Sequence, residues 1–400
     1  MKACVIGGGA SGMTSAIAMA RKGVEVTLYE HSDRVGKKLL STGNGKCNIS
    51  NTDRDLKHYH GDSKFIAEVF EKMPFDAAIS FLTGLGIYTK NKNGYLYPNS
   101  EQAAAVNDVL RHALKRYGVK LFTETKIKSI SPLKEGEGFL LITDKGRETC
   151  DKLVIAAGSK AAPKSGSDGS GYELAEALGH KVVTVLPALC ALKSNDSACK
   201  AIAGVRTDAL VRLFVDGREL ARDRGEVQFT DYGISGIPVF QLSYLAVRAI
   251  YSKKKVRAVI DLMPELSMEY LIEYLTGRKR EDESKTAAEF LIGMLNKNLA
   301  LLIIKKSNLK SDISMEKVSE EEIKDIAFNI KELQFEITGY NSFDKAQICQ
   351  GGVTTKELSS NLESCFHKGL FFAGEIIDVN GDCGGYNLTW AFCTGLLAAL

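Results

Sequence analysis

Four hundred residues exceed what one hydrophobic core usually organises, so two or three domains are expected. An apolar share of 44% and a net charge of +3 describe an ordinary globular chain and argue against a nucleic-acid binder; the short clusters Lys253-Lys254-Lys255 and Arg278-Lys279-Arg280 read as solvated surface. Nine scattered cysteines without a CxxC pair argue against a zinc site or a disulfide scaffold, and no run approaches the ~20 apolar residues of a membrane span, so a reduced, cytoplasmic setting without metal or membrane is expected.

The first element is a short apolar strand over residues 1–6, followed without a spacer by Gly7-Gly8-Gly9-Ala10-Ser11-Gly12 and a helical run over 13–22. Gly23 ends that run, 24–29 is a second strand, and Glu30 closes it. This is a complete dinucleotide-binding βαβ half. Gly7 permits the tight turn, Gly9 lets a pyrophosphate approach the backbone, and Gly12 lets helix and strand pack closely. The free N–H groups of the first helical turn suit an anionic diphosphate. Glu30, about 18 residues beyond Gly12, can accept both ribose hydroxyls and would repel a 2′-phosphate.

A second small-residue loop follows, Ser41-Thr42-Gly43-Asn44-Gly45-Lys46-Cys47-Asn48, placed to lie along the rest of a cofactor. Apolar spacing predicts helices over 65–73, 76–85 and 102–117, and Asn93-Gly94 marks a hairpin. Strands are expected over 119–123, 127–132, 138–143 and 151–157, the last running into Ala157-Gly158. The loop 166–172 feeds a helix over 173–178 but is no second Rossmann start, because no strand immediately precedes it. From 182 to 263 short strands dominate, around a helical run over 239–250; a charged helical stretch covers roughly 265–331, and 334–338 is a strand again. The expected partition is a discontinuous domain of 1–187 and 340–400, an inserted β-rich domain of 188–263 and 333–339, and a helical subdomain of 264–332. The last residues look like a helix cut off without a cap, so the native chain is expected to run further.

Late in the chain a buried strand over 369–373 ends in Gly374-Glu375, and a loop containing Gly384-Gly385 leads to a helix expected from Thr389. A strand, a glycine and an acid at this position complete the pattern of a two-dinucleotide flavin fold. The acid can bond a ribityl hydroxyl, and the helix N-terminus can face N1 and C2=O of an isoalloxazine. The expected cofactor is therefore FAD.

The motifs GGGASGM, GKKLLSTGNGKCN, GSDGSGYELAEALGH, GEVQFTDYGISGIP, QGGV and GLFFAGEIIDVNGDCGGYNLTWAF run in order along nearly the whole chain. Together they resemble the BaiN/aminoacetone-oxidase-like family, also called YhiN-type, of Rossmann-fold flavoproteins. The resemblance implies an α/β fold: a Rossmann-like FAD-binding domain of the two-dinucleotide type, an inserted β-barrel-like domain and a small helical domain. It places Gly7, Gly9, Ala10, Ser11, Gly12 and Glu30 at the ADP half, and Lys38, Ser41, Thr42, Gly43, Gly45, Cys47 and Asn48 along the flavin. Ala157 and Gly158 fall by the adenosine, with Ile127 also among the cofactor-binding positions. Gly374, Glu375, Asp378, Gly384, Gly385, Asn387 and Leu388 fall at the ribityl and ring end. Asp231 stands where many relatives have His, so the resemblance does not carry a His-based acid over to this chain.

The sequence leaves three readings open, two of them reactions. An NAD(P)H-driven reductase would pass hydride from flavin N5 to an enone-type C=C, with NAD(P)H docking transiently because no second GxGxxG exists. An oxidase would take hydride from a small amine such as aminoacetone and pass it to dioxygen. A sensor would bind FAD without turnover. The reductase is favoured, acting on a small molecule rather than a nucleic acid. Candidate catalytic groups are Tyr232 and Asp231 of the inserted domain and Cys47 beside the flavin; Cys47 reads more readily as packing, since no resolving thiol lies near it in sequence.

Overall fold

The computed structural model describes residues 1–133 and 138–400. Two compact units emerge: Met1–Pro187 with Phe343–Leu400, and Ala188–Ser342.

The first unit is built on a parallel sheet. Strand β1, Lys2–Ile6, lies at its centre. On one side are β2, Glu25–Tyr29, and the strand Lys120–Phe122; on the other are Lys152–Ile155 and Leu370–Phe372. Ile6 pairs with Tyr29 on one edge and with Ile155 on the other. The central strands are apolar almost throughout, as burial on both faces requires: Cys4, Val5, Leu28, Leu153, Val154 and Ile155 are all buried. Strand order reverses at β1, and in open α/β sheets a ligand binds outside the carboxyl ends at such a reversal. Four of the five segments that leave those ends are Gly7–Gly12, Glu30, Ala156-Ala157-Gly158 and Ala373-Gly374-Glu375. The topology thus gathers the glycine loop, both acids and the Ala-Gly turn from four distant parts of the chain.

Helix α1, Ala10–Arg21, packs against the C-terminal helix Tyr386–Leu397. A Cβ on Gly395 would sit 2.5 Å from the Ser11 carbonyl oxygen, so the two backbones are nearly in contact. A three-stranded antiparallel sheet, Ile127–Pro132, Phe139–Thr143 and Arg147–Cys150, belongs to the same unit, and the Asn93-Gly94 hairpin joins Thr89–Lys92 to Tyr95–Pro98. The C-terminal helix starts at Tyr386, three residues ahead of the expected Thr389.

The second unit holds a seven-stranded sheet, antiparallel at every pairing, and the helix Ile237–Tyr251. Its strand Arg218–Thr230 is far longer than the apolar end at Val227 suggests. The stretch read as helical contains Met268–Glu281, Ala287–Leu291, Lys297–Lys306 and Glu320–Lys331. Capping boxes at Thr286/Glu289 and Ser319/Glu322 start two of these helices. Leu271, Ile303 and Ile326 of the helices share one apolar core with Val211, Ile260 and Phe335 of the sheet, so strands and helices stabilise each other as a single body.

Candidate functional site

At the first end of the site, close packing requires glycine. Gly7 adopts φ +102°, and a Cβ there would lie 2.4 Å from the Ala156 carbonyl oxygen. A Cβ on Gly12 would lie 1.9 Å from the Gly7 carbonyl oxygen. A Cβ on Gly9 would meet nothing within 4 Å, and Gly9 caps α1 without a side-chain hydrogen bond. The helix therefore presents bare N–H groups behind an open cradle, which fits a diphosphate. Glu30 is buried and held by its own loop: Oε2 accepts from Gly8 N and Oε1 from Ser32 N, each at 2.8 Å. An ionised carboxylate has about four lone-pair sites, so capacity remains for ribose hydroxyls. Gly158 lies in the turn after Lys152–Ile155, where Ser167 Oγ accepts from Ser159 N at 3.1 Å and donates to Ser159 O at 2.9 Å, tying loop 166–171 to that turn. Ile127 is buried at the start of its strand.

Further along, Lys38 Nζ meets Glu375 Oε2 at 2.6 Å, across 337 residues of sequence. The other Glu375 oxygen accepts from Cys349 N at 3.1 Å. The two residues assigned separately to the cofactor thus hold one another, and Glu375 reaches a ribityl hydroxyl only with lone pairs left over. Ser11 Oγ donates to Ala373 O, Trp390 Nε1 donates to Gly374 O at 3.2 Å, and Gly374 N donates to Thr394 Oγ1 at 2.9 Å. These bonds stitch the glycine loop, the late strand and the C-terminal helix together. Tyr172 adds an independent sign of a ligand. Its hydroxyl is buried with no hydrogen-bond partner among the described residues, and Cys349, Glu375 and Asp378 are close enough to act on it electrostatically. An orphaned hydroxyl in this place fits a polar cofactor.

The loop 41–48 is short-bonded and tightly wound. Ser41 Oγ donates to Lys38 O at 2.8 Å, and Thr42 Oγ1 donates to Leu39 O at 2.6 Å. Gly43 and Gly45 are exposed, whereas Cys47 is wholly buried. Burial pushes the Cys47 thiol up to about 11, with a smaller opposing effect from Thr42, so it is protonated at neutral pH and is a poor nucleophile. Cys47→Ala is expected to leave turnover within about threefold of the parent, and native protein should resist iodoacetamide at this position at pH 7.5.

At the end that the resemblance assigns to the ring, Gly385 caps the C-terminal helix at φ +96° with no side-chain cap, and a Cβ there would lie 2.6 Å from Ser50 O. Asn48, with its amide turned to suit its neighbours, accepts from Gly385 N at 3.2 Å and donates to Ser50 O at 3.0 Å. Asn51 Nδ2 donates to Gly384 O at 3.0 Å. Asn387 turns back on its own loop, accepting from Gly381 N at 2.8 Å and donating to Gly381 O at 2.7 Å. Asp378 N donates to Val353 O at 3.0 Å, and Leu388 packs on the core. Nearby lie three residues that the sequence reading passed over, His58, His60 and Asp382, whose side chains meet. The spacing His58-Tyr59-His60 was the one available signal, although His58 closes the 3-10 turn Leu56–His58 and only Tyr59–Gly61 is extended.

Asp231 and Tyr232 belong to the second unit, at the turn between Arg218–Thr230 and Gly233–Gly236. Asp231 is exposed; Tyr232 is half-buried, and its hydroxyl accepts from Asn341 Nδ2 at 3.2 Å. Among the described residues no cluster of three or more His, Cys, Asp or Glu could hold a metal ion, and no helix is long and apolar enough to cross a membrane.

A profile described as the HI0933-like protein Rossmann domain matches residues 1–400. The chain is 38% identical over 398 residues to a protein of Clostridium scindens named 3-dehydro-bile acid delta(4,6)-reductase, covering 98% of this chain and 97% of that one. It is 27% identical to a Haemophilus influenzae protein named ribosomal RNA dihydrouridine synthase, covering 99% and 97%. Among solved structures, 3-ketosteroid-delta4-(5alpha)-dehydrogenase from Rhodococcus jostii RHA1 superposes with a TM-score of 0.50 at 14% identity, covering 100% of this chain and 96% of that one; this likeness shows the fold. A glycine-capped helix at a sheet reversal, a late strand ending in Gly-Glu and a match along the entire length lead to one assignment: the chain belongs to the HI0933-like Rossmann family of FAD-binding oxidoreductases.

Proposed function

We propose that this FAD-dependent oxidoreductase reduces a C=C bond activated by a neighbouring carbonyl in a small molecule, with NAD(P)H as a transiently bound electron donor. The observation that carries this reading is the likeness, along nearly all of both chains, to the protein named 3-dehydro-bile acid delta(4,6)-reductase. Bound FAD supplies hydride chemistry at its isoalloxazine ring. The chain's own residues bind, orient and protonate. The bare N-terminus of α1 receives the diphosphate. The Lys38–Glu375 pair fixes the strand end beside it. The N-terminus of Tyr386–Leu397 favours negative charge on the ring, and the neutral thiol of Cys47 adds a small apolar wall.

Adding hydride to the β-carbon of an enone requires a proton at the α-carbon. Tyr232 is the proposed donor, with Asp231 beside it in the same turn. The Asn341 amide uses a lone pair of the Tyr232 hydroxyl and leaves its proton available. Tyr232→Phe is expected to lower kcat about 10²-fold at unchanged FAD content, the usual scale for losing a general acid. An unchanged kcat would move the proton elsewhere.

The relative named ribosomal RNA dihydrouridine synthase favours a second reading on chemical grounds. The 5,6 double bond of uracil is also conjugated to a carbonyl, so a nucleobase in RNA would undergo the same reaction. One anaerobic experiment separates these readings. Protein bleached by NADH or NADPH is mixed with a 3-keto-Δ4,6 steroid acid or with an unmodified rRNA transcript. Recovery of the yellow absorbance with the steroid supports the small-molecule reading; recovery with RNA alone supports the other. Bleaching only by a small amine, with peroxide formed in air, would make the protein an oxidase. Bleaching by dithionite alone would make it a binding protein without turnover.

A further inference from the structure

Four titratable side chains meet beside the turn that starts the C-terminal helix. The strands Tyr59–Gly61 and Val379–Gly381 pair antiparallel, with His60 opposite Asn380, and Asp382 N donates to His58 O at 2.9 Å. This register seats the Asp382 carboxylate between two imidazoles. Its Oδ2 lies 2.9 Å from His58 Nδ1, and its Oδ1 lies 2.8 Å from His60 Nε2. His58 Nε2 in turn lies 3.0 Å from Asp53 Oδ2. Ionised carboxylates only accept, so a ring bonded to one through each nitrogen must carry both protons. Burial opposes that charge, but Asp382 and Asp53 outweigh it, and His58 keeps its second proton to higher pH than an ordinary imidazole. The ring stacks on Tyr386, the first residue of the helix, at 4.5 Å between centroids. The other charges on the adjoining segments are engaged: Lys57 with Asp55, Arg54 with Asp76, and Asp62 in capping the next helix.

We propose that Asp382 is a positioning residue that fixes the 381–385 turn for the flavin, and that the second proton of His58 tightens its hold. The inference rests on the assignment of that turn to FAD. The proton is present at low pH and leaves as pH rises through the raised value of His58, so FAD should be held more tightly below that value than above it. By linkage, FAD must also strengthen proton binding at His58.

The test is the FAD dissociation constant, read by flavin fluorescence from pH 6 to 9 at fixed ionic strength. Wild-type protein should bind about fivefold to tenfold more weakly after His58 titrates. His58→Gln should bind weakly at every pH, without that step. If the variant does not fold, the wild-type imidazole signals serve: His58 should titrate at higher pH in FAD-saturated protein than in stripped protein. A flat wild-type profile, a step that survives in His58→Gln, or an unmoved His58 titration overturns the proposal. Protein that takes up no FAD at any pH overturns the cofactor assignment as well.

Discussion

Gly12→Ala should lose both stability and flavin, at an expected cost of more than about 3 kcal/mol. The new methyl would sit 1.9 Å from the Gly7 carbonyl oxygen, which is main chain and cannot swing away. Gly7 is itself confined, since its own α-carbon hydrogen side faces the Ala156 carbonyl at 2.4 Å from a would-be Cβ. Overpacking against movable side chains usually costs about 1–3 kcal/mol, and a rigid backbone wall lies at or beyond the top of that range. Gly9→Ala is the informative contrast. Nothing stands within 4 Å of its Cβ, so the urea midpoint should stay close to that of the parent. The methyl would nevertheless occupy the open cradle and weaken FAD binding. Urea unfolding with flavin content measured in parallel checks both variants. If Gly9→Ala retained full FAD affinity, the diphosphate would have to bind somewhere else.

The second large effect concerns Lys38 and Glu375. Their side chains are only 25% and 19% exposed, so removing either leaves a poorly hydrated charge. Breaking a fully buried pair costs about 3–5 kcal/mol; discounted for partial exposure, about 1–2 kcal/mol is expected here. Lys38→Met should therefore weaken FAD binding by roughly tenfold, at about 1.4 kcal/mol per decade. Glu375→Gln keeps the bond from Cys349 N and should cost less. The double variant should lose less than the sum of the two, because each single change strands the other partner. Additive losses would show that the pair is incidental to cofactor binding.

The first βαβ half was legible because each of its requirements is local: an apolar strand, glycines at fixed offsets and an acid at the next strand end. The late Gly374-Glu375 element was legible for the same reason. The mutual grip of Lys38 and Glu375 was not, since nothing within either segment encodes a partner 337 residues away. His58, His60 and Asp382 were hidden in the same way, 324 and 322 residues apart. The early start of the C-terminal helix has a different cause. Tyr386 and Asn387 read as loop, but Asn387 bonds back to Gly381 and closes the turn from inside the helix. The long strand Arg218–Thr230 was read only at its apolar end, because its first nine residues bury no side chain. Those residues are extended through backbone pairing with Arg206–Val215, and pairing of that kind leaves no hydrophobic alternation to read.

The packing of α1 on Tyr386–Leu397 dictates an order of events during synthesis. α1 finds its neighbour only after Tyr386–Leu397 has been made. Until then the sheet also lacks its edge strand Leu370–Phe372. The intervening segment carries its own core and can close earlier, while the nascent amino-terminal portion waits with apolar surface uncovered. Flavin loading is therefore expected to wait for Tyr386–Leu397, and messages truncated ahead of Tyr386 should yield insoluble, colourless product.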